Sequence, residues 1–213
     1  MGTLMAGALA ASRLEAQAPG NPGPALDIAE WSYHWYGVEH ALLARGTVCN
    51  GMQMYVEHWI PAQVRHPYPV VLIHGGFGQG SDWFNTPDGR RGWATLFLEQ
   101  GYKVYVLDRP GQGRNPYQPF VHGAFAAQAP TFEAAARTLN LLVSDPRVAQ
   151  AVASMGQPMA NNAQTQNVWR TRGAMLLDDI GPSILVTDGD GAVFARVIAD
   201  ERPALVKGVV TIA

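Results

Sequence analysis

Two short runs of apolar residues constrain the fold of this chain more than any other feature. Residues 69–73 read PVVLI and residues 103–107 read KVYVL. Strands of this composition are typically buried on both faces, as they are in parallel sheets. Between them, residues 93–100 have helical character, and Gly101 follows where a glycine commonly ends a helix. The order strand, helix, strand predicts a right-handed parallel crossover.

The second half of the chain continues this alternation of strands and helices, which is typical of a doubly wound α/β sheet. Residues 145–170 have no clear period, and we expect an irregular cap there. The apolar spacing predicts helices over residues 131–143, 173–180 and 192–201, and strands over residues 183–186 and 206–212.

The segment before the parallel strands has the pattern of an antiparallel hairpin. The dipeptide Asn50-Gly51, a strong hairpin-turn signal, separates residues 47–50 from residues 52–60. Apolar and polar residues alternate with period two in the second arm. We therefore expect the two arms to pair with each other at the edge of the sheet, with a further strand within residues 31–41.

The composition excludes several classes of protein. Apolar residues make up 47% of the chain and charged residues 15%, which favours a compact domain over a disordered chain. A net charge of −2 gives no reason to expect nucleic-acid binding. The single cysteine allows neither an intrachain disulfide nor a thiolate metal cluster. No apolar run reaches the roughly 20 residues that a membrane-spanning helix needs.

The N-terminal residues 1–27 leave two interpretations open. The run of small and apolar residues from Leu4 to Ala11, with Ala16-Gln17-Ala18 after it, is similar to the end of a secretory signal peptide and its cleavage site. The positively charged start of such a peptide is missing. The segment is therefore either an export signal to the periplasm or exterior, or an unstructured terminus of a cytoplasmic protein. The folded domain is expected over residues 28–213.

Two glycine-rich segments follow the first two parallel strands. Residues 70–78 read VVLIHGGFG, and this strand running into His-Gly-Gly resembles the oxyanion-loop motif of the α/β-hydrolase superfamily. Residues 105–114 read YVLDRPGQGR and resemble a D-x-x-G-x-G-x-S segment of the same superfamily, with Asn115 in place of the usual serine. Together with residues 86–90 and the tail from Ser183, they are similar to a bacterial carboxylesterase branch of that superfamily.

The resemblance extends from about residue 51 to residue 213 and implies an α/β-hydrolase fold. This fold has a mostly parallel sheet with helices on both faces, and here it would lack its last strands. Residues 121–172 would form a cap or an insertion. The ancestral activity implied is the hydrolysis of a carboxylic ester, so a small ester-like molecule is the expected ligand.

The resemblance also implies the position of the site. Glycines let backbone N–H groups approach a developing oxyanion, and the nucleophile of the family lies in the turn after the third parallel strand. Counting from the strand end, the nucleophile position falls on a glycine, which has no side chain with which to attack. The implied residues are Gly75, Gly76 and Asp190 in the oxyanion hole, Gly189 at the nucleophile position, and Thr187, Asp188 and Gly191 around it.

The acid and the base of the family follow the strand after this turn. In this chain that strand is followed by Ala213 alone, and all six histidines precede the turn. We therefore expect the chain to be inactive by itself, as a fragment or as one part of a hydrolase. The alternative is a non-catalytic binding or regulatory protein on the same scaffold. An uncovered apolar strand at residues 206–212 would favour self-association or a partner chain.

Two other roles for Asp188 and Asp190 stay open. Either could be a carboxylate nucleophile, as in haloalkane dehalogenases and epoxide hydrolases, although neither has small residues two positions away on both sides, as Gly189 does. The sequence Asp-Gly-Asp-Gly is also similar to part of a calcium loop. No glutamate follows at the required distance, which favours a polar turn over a metal site. We expect neither a metal nor a cofactor.

Overall fold

A six-stranded sheet forms the centre of the computed structural model, which describes residues 25–118, 123–125, 128 and 130–212. The strand order is β1-β4-β6-β5-β7-β8. β4 runs antiparallel to its neighbours β1 and β6, whereas β6, β5, β7 and β8 pair in parallel. The sheet strands are β1 (Ile28–Tyr36), β4 (Met54–Pro61), β5 (Val70–Ile73), β6 (Val104–Asp108), β7 (Ser183–Asp188) and β8 (Val206–Ile212).

Helices cover both faces of this sheet, as the sequence predicted. Along β5, Val70 and Leu72 pack in one apolar cluster with residues of helix α1, whereas Val71 and Ile73 pack in another with residues of α4 and α5. Side chains alternate between the two faces of a strand, so a strand that is buried on both faces must be apolar throughout. The helices are α1 (Trp93–Glu99), α2 (Phe132–Leu139), α3 (Pro146–Ser154), α4 (Ala163–Ile180) and α5 (Gly191–Glu201), with a 3₁₀ turn at Gly80–Trp83.

The predicted hairpin around Asn50-Gly51 is wrong. β3 (Gly46–Cys49) pairs instead with β2 (His40–Leu43) in a separate two-stranded sheet, and β4 pairs with β1. The Asn50 side chain accepts a hydrogen bond from the amide of Met52, and Gly51 has a φ of +78°. The dipeptide therefore makes a real turn, but this turn leads the chain from one sheet to the other. β4 consequently lies inside the main sheet, not at its edge.

The irregular structure predicted over residues 145–170 is wrong for most of that segment, which is helical. α3 begins after Asp145, whose side chain accepts a hydrogen bond from the amide of Arg147, and Pro146 fits the first turn. α4 begins after Asn162 and runs through Gly173, so it is ten residues longer than the helix predicted over residues 173–180. A Cβ on Gly173 would lie 2.2 Å from the Ile198 side chain, so this glycine permits close packing of α4 on α5.

Residues 1–24 and parts of the segment 119–129 lie outside the described residues. The signal-like N-terminus falls there, and the assignment of residues 121–172 to a cap or an insertion stays a prediction. At the other end, β8 forms the outer strand of the sheet, and Val209 and Val210 are each about half exposed.

Candidate functional site

The carboxyl ends of β5, β6 and β7 lie at the same edge of the sheet, and the three glycine-containing segments leave the strands there. In open α/β sheets ligands bind beyond this edge. The candidate site is therefore built from the loop after β5, the loop after β6 and the turn between β7 and α5.

His74 joins the first two loops. Its ring is buried, Nε2 accepts a hydrogen bond from the amide of Arg109, and Nδ1 lies 2.8 Å from the Gly75 carbonyl oxygen. The ring therefore carries its proton on Nδ1 and is neutral. Burial, together with the charge of Arg109, holds the pKa of His74 well below its usual value. Both ring nitrogens are engaged, so His74 positions the loop and is not available as a base.

The carbonyl groups of the Gly75-Gly76 segment are held by the loop after β6. The Arg109 guanidinium donates from Nη2 to the Gly75 oxygen at 2.5 Å, and Gln112 donates from Nε2 to the Gly76 oxygen at 2.7 Å. These contacts fix the orientation of the peptide planes in the glycine loop. A fixed orientation is what a preorganised oxyanion site requires of its N–H groups.

A buried ion-pair network supports the loop after β6. Asp108 is fully buried and accepts hydrogen bonds from the amide of Gly80 and from Nε of Arg114. Arg114 also pairs with Glu57 on β4, and Asn115 donates to the carbonyl oxygen of Asp108. The segment 108–115 thus connects the 3₁₀ turn and β4 to the end of β6.

The turn between β7 and α5 is sharp and has Gly189 at its apex. Asp188 is the last residue of β7, Gly189 has a φ of +43°, and Asp190 directly precedes α5. The Gly189 amide donates to the Ile212 carbonyl oxygen at 3.0 Å, so the turn is attached to β8. A Cβ on Gly189 would meet no atom within 4 Å, and a side chain at this position would point into open space.

The turn and the glycine loop lie in direct contact. A Cβ on Gly191 would lie 2.8 Å from the carbonyl oxygens of Ile73 and His74, so no larger residue fits there without movement. A Cβ on Gly75 would lie 2.8 Å from Oδ2 of Asp188. A Cβ on Gly76 would meet the Asp190 carboxylate in the same way. Every residue that the sequence placed in the site is thus brought to one location, apart from the Thr187 side chain, which is buried in the sheet.

The two aspartates of the turn share one electrostatic environment with Arg109. Burial and the charge of Asp190 raise the pKa of Asp188, and Arg109 partly offsets this rise. Burial lowers the pKa of Arg109 to about 10, and the two aspartates act in the opposite direction. Because a raised pKa favours the neutral carboxyl form, it acts against Asp188 as a carboxylate nucleophile. Asp190, in turn, lies at the start of a helix and not at the apex of the turn.

Sequence reasoning missed two residues at this site. Arg109 and Trp169 line a cavity of about 190 Å³ next to the turn, together with Asp190 and Val193. A usable signal for Arg109 was its position directly after a buried strand, at the edge where ligands bind. Trp169 lies on α4, which the sequence predicted only in part.

A larger cavity, of about 600 Å³, lies at the opposite edge of the sheet near Arg65 and Gly101.

Within the described ranges, no group of three or more His, Cys, Asp or Glu side chains is arranged to hold a metal ion. No helix in the same part of the chain is long and apolar enough to cross a membrane.

Comparison with known proteins gives two informative matches, and no protein-family model matches the chain. A probable secreted lipase from a fungal species (strain ATCC 74256) is 32% identical over 180 residues, which are 75% of this chain and 48% of the lipase. The structure of a bacterial esterase, solved at atomic resolution, is similar with a TM-score of 0.69 and 24% identity. That match covers 90% of this chain and 70% of the esterase. The chain thus spans about half the length of its curated relative.

The strand order, the helices on both faces and the likeness to the bacterial esterase establish the α/β-hydrolase fold. The sequence identity with the lipase, over three quarters of this chain, relates it to the α/β-hydrolase superfamily and to its esterase-like members. These results support the superfamily relationship that the motifs predicted and confirm the predicted fold, whereas the carboxylesterase branch stays a prediction.

Proposed function

We propose that these 213 residues form an esterase-like scaffold that keeps the ligand-binding edge of a carboxylic ester hydrolase but does not itself hydrolyse esters. The observation that carries the proposal is Gly189. It occupies the apex of the strand-to-helix turn with a positive φ, where the serine of a nucleophile elbow is expected. Glycine offers no hydroxyl or carboxylate to attack a carbonyl carbon.

The histidines support the same proposal. His74 uses both ring nitrogens within the loops. His58 pairs with Glu30 on β1, and His66 stacks on Tyr102. His34 and His40 lie on β1 and β2; β1 is four strand positions from β7, or roughly 19 Å at normal strand spacing. His34, His58, His66 and His74 are therefore not placed as a general base for position 189; His122 lies outside the described residues.

Hydrolysis of p-nitrophenyl acetate by the purified chain tests the proposal. We expect no turnover above the small background rate that backbone N–H groups and substrate binding give without a nucleophile. Ordinary enzymes have turnover numbers of about 1–10³ s⁻¹. A rate in that range would refute the proposal. Gly191→Val provides the control for contaminating esterases, because its side chain would collide with the carbonyl oxygens of Ile73 and His74. Activity that survives this change unaltered does not come from the candidate site.

The gene sequence beyond codon 213 separates the two forms of the proposal. A frame that continues into a segment with a glutamate and a late histidine supports one part of a longer hydrolase. A stop codon there supports a non-catalytic binding or regulatory protein.

We also propose export, supported by the Ala16-Gln17-Ala18 pattern and by the description of the fungal relative as a secreted lipase. Expression in a bacterium, followed by fractionation and N-terminal sequencing, tests it. Export predicts a periplasmic product that begins after Ala18. A cytoplasmic product with residues 1–18 intact would contradict export and leave the assignment of the scaffold untouched.

A further inference from the structure

Two residues that line the cavity beside the turn have buried side-chain N–H donors without a hydrogen-bond partner among the described residues. Nε of Arg109 and Nε1 of Trp169 are both buried, and neither has a hydrogen-bond partner among the described residues. The two side chains are only about 3% exposed, and the Arg109 guanidinium lies over the Trp169 ring at 5.3 Å. Buried donors are normally paired, so two unpaired donors at one cavity point to a missing acceptor.

The positive charge of Arg109 indicates that the missing acceptor is an anion. Arginine remains protonated even with its pKa lowered to about 10. Within the described residues Arg109 makes no ion pair with a carboxylate, although Arg114 on the same loop makes two. The charges of Asp188 and Asp190 favour the Arg109 guanidinium but do not offset its burial, and arginine binds carboxylates particularly well.

We propose that this cavity binds the carboxylate of a small monocarboxylic acid, held by N–H donors of Arg109 and Trp169. Pro158, Met159 and Val193 supply apolar wall for a short hydrocarbon tail. A volume of about 190 Å³ admits only a few heavy atoms, which limits the tail to a few carbons. The site adjoins Gly189, but the inference does not rest on the proposed loss of ester hydrolysis, because binding needs no nucleophile.

The negative charge of Asp190 opposes the binding of an anion. A change at Asp190 therefore tests whether the bound ligand is negatively charged. Its carboxylate lines the cavity and lies against Gly76, so it repels a bound anion. Removing its charge should therefore strengthen the binding of a carboxylate. It should have little effect on a neutral ligand of the same shape.

Titration of the full chain with propionate and with propionamide, by ligand-observed NMR or calorimetry, tests the proposal. We expect saturable binding of propionate and binding of propionamide that is at least tenfold weaker. Trp169→Phe should weaken propionate binding about tenfold, as the loss of a hydrogen bond to a charged group does. Trp83→Phe is the matched control, because Trp83 also has a buried, unpaired Nε1 but packs against α1 on the other face of the sheet.

Two further variants complete the test. Asp190→Asn should tighten propionate binding several-fold, and Val193→Phe should fill the cavity and abolish binding without touching Arg109. Circular dichroism and thermal melting confirm that each variant is folded. Equal binding of propionate and propionamide, an equal effect of Trp169→Phe and Trp83→Phe, or no propionate binding by the folded parent chain would each overturn the proposal. Esterase turnover would not overturn the carboxylate-binding proposal, because it tests the role of position 189 and not the cavity.

Discussion

Gly189 leaves the apex of the turn in the candidate site without a side chain. Its φ of +43° lies in the left-handed region, which glycine adopts without penalty and other residues adopt at a cost of about 1–2 kcal/mol. In the α/β-hydrolase fold the nucleophile lies at the apex of such a strained turn, where its side chain is exposed. In this chain the turn has the small neighbour Gly191 and lies against the glycine loop, while its apex carries no side chain.

Introducing a serine tests this reasoning. Gly189→Ser has free space for the side chain, so we expect a folded protein with a melting temperature lower by a few degrees, because of backbone strain. We expect little reaction with a fluorophosphonate probe, because an unactivated hydroxyl is a poor nucleophile. Gly181→Ser is the matched control, since Gly181 also has a positive φ and open space around its Cβ position but lies before β7. Rapid stoichiometric labelling of position 189 would mean that a base reaches the turn.

His74 should make stability depend on pH. Its folded-state pKa lies well below the unfolded value of about 6.5, so the unfolded chain binds a proton in a range where the folded chain does not. This contribution to stability is complete above pH 6.5 and is lost as the pH falls below it. In urea unfolding, the free energy of unfolding of the parent should decrease more steeply between pH 6.5 and 5 than that of His74→Gln. Above pH 7.5 the two slopes should agree; parallel slopes at low pH would contradict the assignment.

At the scale of elements, the loop after β6 depends on a buried charge network. Asp108 accepts hydrogen bonds from the Gly80 amide and from Arg114, while Arg114 also reaches Glu57 on β4. Asp108 and Arg114 together therefore connect β6, the loop after it, the 3₁₀ turn and β4. Arg114 additionally packs over the Tyr55 ring at 4.0 Å. The 3₁₀ turn that follows the glycine loop is thus attached to β6 and, through Arg114, to β4.

Removing the charge of Asp108 should destabilise the whole domain. Asp108→Asn leaves Arg114 without its most buried partner, and breaking such a pair costs on the order of 3 kcal/mol. Chemical denaturation measures the change. Asp178→Asn is the control, because Asp178 forms a bidentate pair with Arg202 at the surface, where exposed pairs contribute little. Equal losses in the two variants would show that the Asp108 network has no special role.

At the scale of the whole molecule, β8 is the outer strand of the sheet on its parallel side. Its outer edge pairs with no described strand, and Val209 and Val210 are about half exposed on it. Unprotected edge strands with apolar side chains are sites of association.

We therefore expect the purified chain to self-associate through β8. Gel filtration with light scattering should find species larger than the 23.0 kDa monomer, in a proportion that rises with concentration. Val209→Lys should shift the distribution toward monomer, because a charge on an edge strand opposes pairing. Val38→Lys is the control, since Val38 is a similarly exposed valine far from β8. A stable monomer with cooperative melting would contradict the expectation.

The sequence by itself determined the parallel strands, the helices α1 and α5 between neighbouring strands, and the relationship to the α/β-hydrolase superfamily. The runs 69–73, 103–107 and 183–186 are apolar throughout because their side chains are buried on both faces, so their composition reveals their environment. The Gly75-Gly76 loop and the Gly189 turn could also be predicted from the sequence. A positive φ or a close backbone approach favours glycine over other residue types.

Only the tertiary structure decided the partner of β4, the extent of α4 and the cavity beside the turn. The pattern of Asn50-Gly51 specifies a turn but not which strands it connects, because pairing depends on distant residues such as those of β1. Helix α4 contains polar residues and Gly173, whose local propensity is overridden by close packing on α5. Arg109 and Trp169 are 60 residues apart in sequence, and only the folding of α4 over the sheet places the guanidinium on the indole ring and buries both donors without a partner among the described residues.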